Sequence, residues 1–386
     1  MRMITSEIMM NTYCGKWIGL RMKVPFFSFK MAPQELKDKW LQATTNVINE
    51  GIFIQGVSLE LFENNWAEMN ETQYAIGVGN GFDGLVIALR ALGVGVGDKV
   101  AVPAHTFFAC WLAIHEVGAI PVGIEVDDNG LLCLDSLESL NTNIRAVMPV
   151  HMHGAMVDMQ RLCKWAKNAG VSIIEDASQA HMAYSEGKYA GTWGHIGVFS
   201  LYPTKNLGAL GDAGVILTSD KNLHENIRMQ SNYGATRKRK YRHEIFGRNS
   251  RLDEIQAALL NVNLSYLKNW NQARARIAGQ YIDGLNNLRG IQLLNSKVAD
   301  SVWHHFPILV ESRNELKENL FENGIATDIH YPILASSEYE KLTNHPAGTF
   351  PTANSISGRI LSLPISPWHT ETQIEYTIER IRFFNE

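Results

Sequence analysis

Between residues 74 and 217, short apolar runs alternate with stretches of helical period, and this alternation constrains the fold more than any other feature of the chain. The runs are YAIGVG, KVAVPA, AIPVGIEV, AVMPV, VSIIEDA, IGVFSL and AGVILT, with helical periods at 83–93, 107–117 and 158–168 between them. Apolar runs spaced by helices call for an α/β architecture, a mostly parallel sheet covered by helices on both faces. Ligands of such sheets sit beyond the carboxyl ends of the strands. After Leu252 the texture changes to a long Ala-, Asn- and Leu-rich helical stretch (253–287), then shorter strands and a closing helix at 370–384. The chain is therefore expected to comprise an N-terminal extension (1–23), a large α/β domain (24–263) and a smaller α+β C-terminal domain (264–386). Residues 1–23 lack the apolar core and small-residue cleavage site of a secretory signal, so they read as a disordered tail with Met22 as a second possible start.

Composition excludes several function classes. A formal net charge of -4 gives no global field for phosphate backbones or anionic membranes, so neither nucleic acid nor a membrane is an expected partner. Four scattered cysteines without CxxC spacing suit a reducing cytoplasm. The apolar stretch 101–126 is broken by His105, His115, Glu116 and Pro121, which argues for buried helix and strands over a membrane span. His151, His153 and His330 invite a metal or sugar reading, but their spacing matches no paired helical metal site, and no metal is expected.

The candidate chemistry lies at strand ends. VSIIEDASQAH (171–181) is an apolar strand that delivers Asp176 to a carboxyl edge, and a buried carboxylate needs a cationic partner. GVFSLYPTKNLGALGDAG then brings Lys205 to a Gly-rich turn after a second strand, where desolvation would lower its pKa and favour a Schiff base. Pyridoxal phosphate (PLP) demands this pair, an amine for its aldehyde and a carboxylate for its pyridine nitrogen. Its phosphate needs a cradle, and VGNGFDGLVIALRAL (78–92) offers a strand, a turn and a helix start with free N–H groups. PAHTFFACW (103–111) could supply an aromatic to stack on the ring.

With these elements in this order, the sequence resembles the sugar aminotransferases of the DegT/DnrJ/EryC1/StrS family. The resemblance runs from VPFFSF (24–29) to the closing helix through GIFIQG, NGFDGL, VPAHTFFAC, EDASQAH, GHIGVFSLYPTKNLGALGDAG, GRNSRLDEIQAALL and GIATDIHYP. It implies the type I PLP-dependent aminotransferase fold, with Lys205 as Schiff-base lysine and proton shuttle and Asp176 as partner of the pyridine nitrogen. It further implies that Gln179 meets the cofactor's ring oxygen and Phe107 stacks on the ring. Phosphate would be held by the backbone N–H groups of Phe82 and Asp83, the Ser200 hydroxyl, and Asn249 from a neighbouring subunit, which makes the site one shared across a homodimer. Where the family commonly has NGTDAL this chain has NGFDGL, so a threonine hydroxyl is missing at Phe82. A dehydrating branch of the family carries histidine at the position of Lys205, so this chain falls outside that branch.

The activity implied is transamination of a nucleotide-linked keto sugar. NYGATRKRKYRHEIFGRNSRLDEIQAA is similar to members acting on dTDP-3-keto-6-deoxyhexoses, with glutamate as amino donor and a 3-amino-3,6-dideoxyhexose for surface polysaccharide, such as O-antigen, or a glycosylated metabolite as the outcome. Amination at the 4-position and a non-catalytic regulator on the same fold are the alternatives. RKRKYR (237–242) reads either as a clamp for a nucleotide diphosphate or as a solvated charge run.

Overall fold

The computed structural model describes residues 22–236, 241–294 and 301–385. All seven apolar runs are strands of one sheet: β1 Tyr74–Val78, β2 Lys99–Pro103, β3 Ile120–Ile124, β4 Ala146–Val147, β5 Ser172–Asp176, β6 Ile196–Ser200 and β7 Gly214–Thr218. Their spatial order is β1-β7-β6-β5-β4-β2-β3. β7 pairs antiparallel with both neighbours, and the remaining contacts are parallel, so six carboxyl ends share one edge. Apart from the edge strand β3, these strands are buried along nearly their whole length, as their apolar character requires. The segment 101–126 folds as the end of β2, the helix Ala109–Glu116 and β3, and among the described residues no helix is long and apolar enough to cross a membrane.

Helix starts are set by side-chain caps. Asn80 caps Gly81–Ala91, Asp158 caps Met159–Ala169 and Asp220 caps Lys221–Gln230, each accepting a first-turn N–H that lacks a partner within its helix.

The long helical stretch is a single helix, Glu254–Leu285, and the expected domain division at 263/264 falls inside it. Its first half packs into the core beneath the large sheet through Ala257, Leu260, Leu264 and Leu267, and its second half enters a separate core through Ile277, Ala278, Tyr281 and Leu285. That second core covers a three-stranded antiparallel sheet of β8 Ile291–Leu293, β9 Phe306–Val310 and β10 Ile360–Leu363. Val24 joins it as well, exchanging backbone hydrogen bonds with Gly324 and Ala326. The bulk of the expected extension, residues 1–21, lies outside the described residues, as do residues 237–240 of the basic cluster.

Candidate active site

Asp176 is the last residue of β5, buried and held on every side. Its backbone N–H donates to the Pro149 carbonyl (2.9 Å) and its carbonyl accepts from the His151 N–H (3.1 Å). Its carboxylate accepts from the Ser178 N–H at Oδ1 (3.0 Å) and from the Cys110 thiol at Oδ2 (3.0 Å). The preceding Glu175 points the opposite way, as strand alternation requires. Fully buried, it accepts from the N–H groups of Gly191, Trp193 and Gly194 and from His151 Nε2. His151 Nδ1 accepts from the Val157 N–H, which puts the ring proton on Nε2. His151 is thus structural, bracing the strand end that presents Asp176.

Lys205 lies in the turn after β6, the strand paired with β5 at Asp176 and Val198. The turn closes through Lys205 N–H to the Tyr202 carbonyl (2.9 Å) and Ala209 N–H to the Leu201 carbonyl (2.8 Å). Gly208 is required there, because a Cβ would stand 2.2 Å from the Pro203 carbonyl oxygen. Phe27, Phe29, Trp40, Trp270 and Trp368 gather around this turn and shield it. Burial lowers the Lys205 pKa to about 8 against the opposing attraction of Asp176. Among the described residues the Lys205 ammonium has no hydrogen-bond or ion-pair partner.

Two parts of the expected phosphate cradle, Ser200 and the first turn of Gly81–Ala91, lie against each other. Gly81 packs so tightly on Ser200 that a Cβ would lie 2.7 Å from the serine Cβ, which brings the hydroxyl-bearing residue against the first turn of Gly81–Ala91. One assignment needs correction. The Asp83 N–H donates to Asn80 Oδ1 (2.8 Å), so the cap has taken the group expected to bind phosphate. The N–H groups of Gly81 and Phe82 remain as the first-turn donors unused by the helix. The Asp83 carboxylate instead accepts from Arg248 (2.6 Å), which also bonds Glu116.

Asn249 is exposed and bridges Asn232, and its neighbours Arg248 and Ser250 touch this same chain's phosphate turn, Ser250 Oγ accepting from the Gly79 N–H (3.0 Å). Phe107 follows β2 on the same edge and is 57% exposed, with one side of its ring against Tyr331 (centroids 5.5 Å). Gln179 is fixed by two contacts, Oε1 accepting from the His153 N–H (2.6 Å) and Nε2 donating to the Tyr331 hydroxyl (3.2 Å). Its second amide hydrogen is uncommitted.

Cys110, Thr106, His304 and His305 went unnoticed as site residues in the sequence, whereas His153 and His330 did not. Cys110 and Thr106, whose Sγ and Oγ1 are 3.4 Å apart, stand behind Asp176. A set of buried and half-buried imidazoles borders Lys205: His304 bonds Asn206, His305 approaches His153 and stacks on the half-buried His330, and His330 bonds Ser362. Burial keeps all of these rings neutral, lowering His330 to about 4 and His153, His304 and His305 well below the ordinary value. The double histidine in SVWHHF was the available signal, though a pair of buried residues far from any motif does not announce its neighbours. Among the described residues no cluster could hold a metal.

The arrangement is a desolvated amine and a fixed carboxylate on neighbouring strand ends beside an anion-binding helix start, and similarity to known proteins decides its class. The family model for the DegT/DnrJ/EryC1/StrS aminotransferases matches residues 34–382. The chain belongs to this family. A dTDP-3-amino-3,4,6-trideoxy-alpha-D-glucose transaminase of Streptomyces venezuelae is 41% identical over 369 residues, covering 94% of this chain and 97% of that protein. A protein of Saccharopolyspora erythraea named erythromycin biosynthesis sensory transduction protein EryC1 is 40% identical, with 94% and 99% covered. The crystal structure of S. venezuelae DesV in complex with a ketimine intermediate superposes with a TM-score of 0.90 at 40% identity, covering 94% of this chain and 99% of that one. The protein is an aminotransferase of the PLP-dependent type I fold, and its cofactor is pyridoxal phosphate. The residues present fit that group: a half-buried amine with no hydrogen-bond partner among the described residues, a fixed carboxylate, and a helix start with unused N–H groups packed on Ser200.

Proposed function

We propose that this aminotransferase moves an amino group from glutamate to the ketone of a dTDP-linked 3-keto-6-deoxyhexose, giving a 3-amino-3,6-dideoxyhexose nucleotide. The observation that carries the reading is the placement of Lys205 in the turn after β6, the strand paired with β5 where it ends in the fixed carboxylate of Asp176. When bound, pyridoxal phosphate takes the amino group and an electron pair from the donor and returns them to the ketone carbon. Lys205 would hold the cofactor through Nζ, and as a free amine with a pKa lowered to about 8 it could take up and return a proton near neutral pH. With the cofactor bound, Asp176 would accept the N–H of the ring nitrogen, the exposed face of Phe107 would cover the ring, and the free amide hydrogen of Gln179 would serve the ring oxygen. Ser200 and the N–H groups of Gly81 and Phe82 would hold the phosphate, while Asp83 anchors Arg248.

The 3-position is supported by the name of the S. venezuelae relative, a dTDP-3-amino sugar transaminase. Neutral imidazoles around Lys205 suit a polyhydroxyl substrate, since each offers both a donor and an acceptor. Asn249 is assigned to the phosphate of a second copy. A dimer is supported by exposed apolar side chains at Ile48, Ile52, Phe53, Ile54, Val57 and Leu61, a patch that a second subunit would cover. The free thiols of Cys110, Cys133 and Cys163 support work in the cytoplasm, and the product is assigned to surface polysaccharide or a glycosylated metabolite.

Incubation of the loaded enzyme with glutamate and matched 3-keto and 4-keto dTDP-6-deoxyhexoses tests this directly. NMR of the product should place the new C–N bond at carbon 3; exclusive reaction of the 4-keto sugar refutes the assignment. A chain that binds the cofactor yet aminates neither sugar would favour the regulator suggested by the name of the S. erythraea relative.

A further inference from the structure

Cys110 is fully buried in the first turn of Ala109–Glu116, and its thiol lies 3.0 Å from Asp176 Oδ2, a contact between residues 66 apart in sequence. The other carboxylate oxygen is taken by the Ser178 N–H at 3.0 Å. One backbone donor alone would leave the carboxylate free to turn about its last bond; two donors on different elements fix its plane. The Thr106 hydroxyl, in the segment that leads into the helix, also lies 3.4 Å from the sulfur. Burial and the adjacent Asp176 push the Cys110 pKa well above its ordinary value, so the group remains a thiol. The thiol's single hydrogen goes to Asp176, which leaves the Thr106 hydroxyl to donate to sulfur.

We infer that Cys110 is a positioning residue for the ring-nitrogen contact: its S–H holds Asp176 in the orientation that receives the cofactor's N–H, with Thr106 supporting the sulfur. The inference rests on the assignment of Asp176 to the ring nitrogen. A hydrogen bond to a charged group contributes more than one between neutral groups. Its loss is read here through the affinity of the cofactor and not through the fold.

The test compares the wild-type protein with Cys110→Val, which keeps the volume but removes the donor, and Cys110→Ser, which restores one. Each apoprotein is titrated with pyridoxal phosphate and with the analogue whose ring nitrogen is replaced by C–H. Cys110→Val should weaken pyridoxal phosphate about tenfold, consistent with a donor to a carboxylate, and leave the affinity for the analogue unchanged. Cys110→Ser should recover most of the loss. Equal weakening of both ligands, or no weakening of either, overturns the inference and makes Cys110 a packing residue. Equal affinity of the wild type for both ligands refutes the role of Asp176 itself, and the inference falls with it.

Discussion

His305 lies stacked on His330, with ring centroids 3.8 Å apart and planes 14° from parallel. Two imidazolium ions could not occupy that geometry without strong repulsion, and burial already holds both rings neutral, His330 down to about 4. His105 is lowered to about 4 and His181 to about 3 by the same desolvation. Because the unfolded chain titrates near the ordinary 6.5 while the folded chain does not, the unfolded state binds more protons below that pH. Stability should therefore fall as pH drops from 6.5 towards 4, each such imidazole adding a slope of about 1.4 kcal/mol per pH unit. Urea midpoints of the apoprotein across this range check the expectation, and His305→Gln should flatten the slope by about one proton.

Lys205 makes a second pH prediction. A lysine depressed to about 8 binds fewer protons in the folded state than in the unfolded state between pH 8 and its ordinary 10.5. The cost of burying its charge is present below pH 8 and is relieved as pH rises through 10.5. Schiff-base formation with added pyridoxal phosphate needs the neutral amine, so its rate should rise with a midpoint near 8. Stopped-flow absorbance measures this; a midpoint near 10.5 would mean an exposed lysine.

Glu175 tests the brace behind the site. Glu175→Ala leaves one buried and two part-buried N–H groups and the buried His151 ring without their acceptor, and unsatisfied buried groups cost roughly 1–3 kcal/mol each. The expected loss is on the order of 3 kcal/mol or more in chemical unfolding. Any remaining folded fraction should still bind cofactor, because Glu175 faces away from it.

Gly81 tests the cradle. Gly81→Ala places a methyl 2.7 Å from the Ser200 Cβ, and backbone must move because neither side chain can turn aside. Overpacking of this kind costs about 1–3 kcal/mol. Pyridoxal phosphate should bind at least tenfold more weakly, while pyridoxal without its phosphate should be affected far less; equilibrium dialysis of both ligands distinguishes a cradle defect from general damage.

The large sheet was legible because each of its strands is apolar through its length and each is followed by a recognisable helix or turn. The placement of Asp176 and Lys205 at the ends of paired strands was legible for the same reason. The Asp83 N–H shows a competition between two uses of one group that a local pattern does not resolve. Asn80, three residues earlier, is a strong N-cap residue, and its side chain reached that N–H. Cys110, Tyr331 and His305 were not legible, because their partners Asp176, Gln179 and His153 lie 66, 152 and 152 residues away and no local pattern encodes such contacts. The change of texture after Leu252 was real, yet it marks a helix shared by two cores and not a break in the chain.

The account turns on which amine carries the cofactor. Borohydride reduction of the protein loaded with pyridoxal phosphate, followed by peptide mass mapping, identifies it. A phosphopyridoxyl adduct on Lys205, lost in Lys205→Ala, is the predicted result. An adduct on another lysine, or an equal yield from Lys205→Ala, would contradict the assignment of the active site.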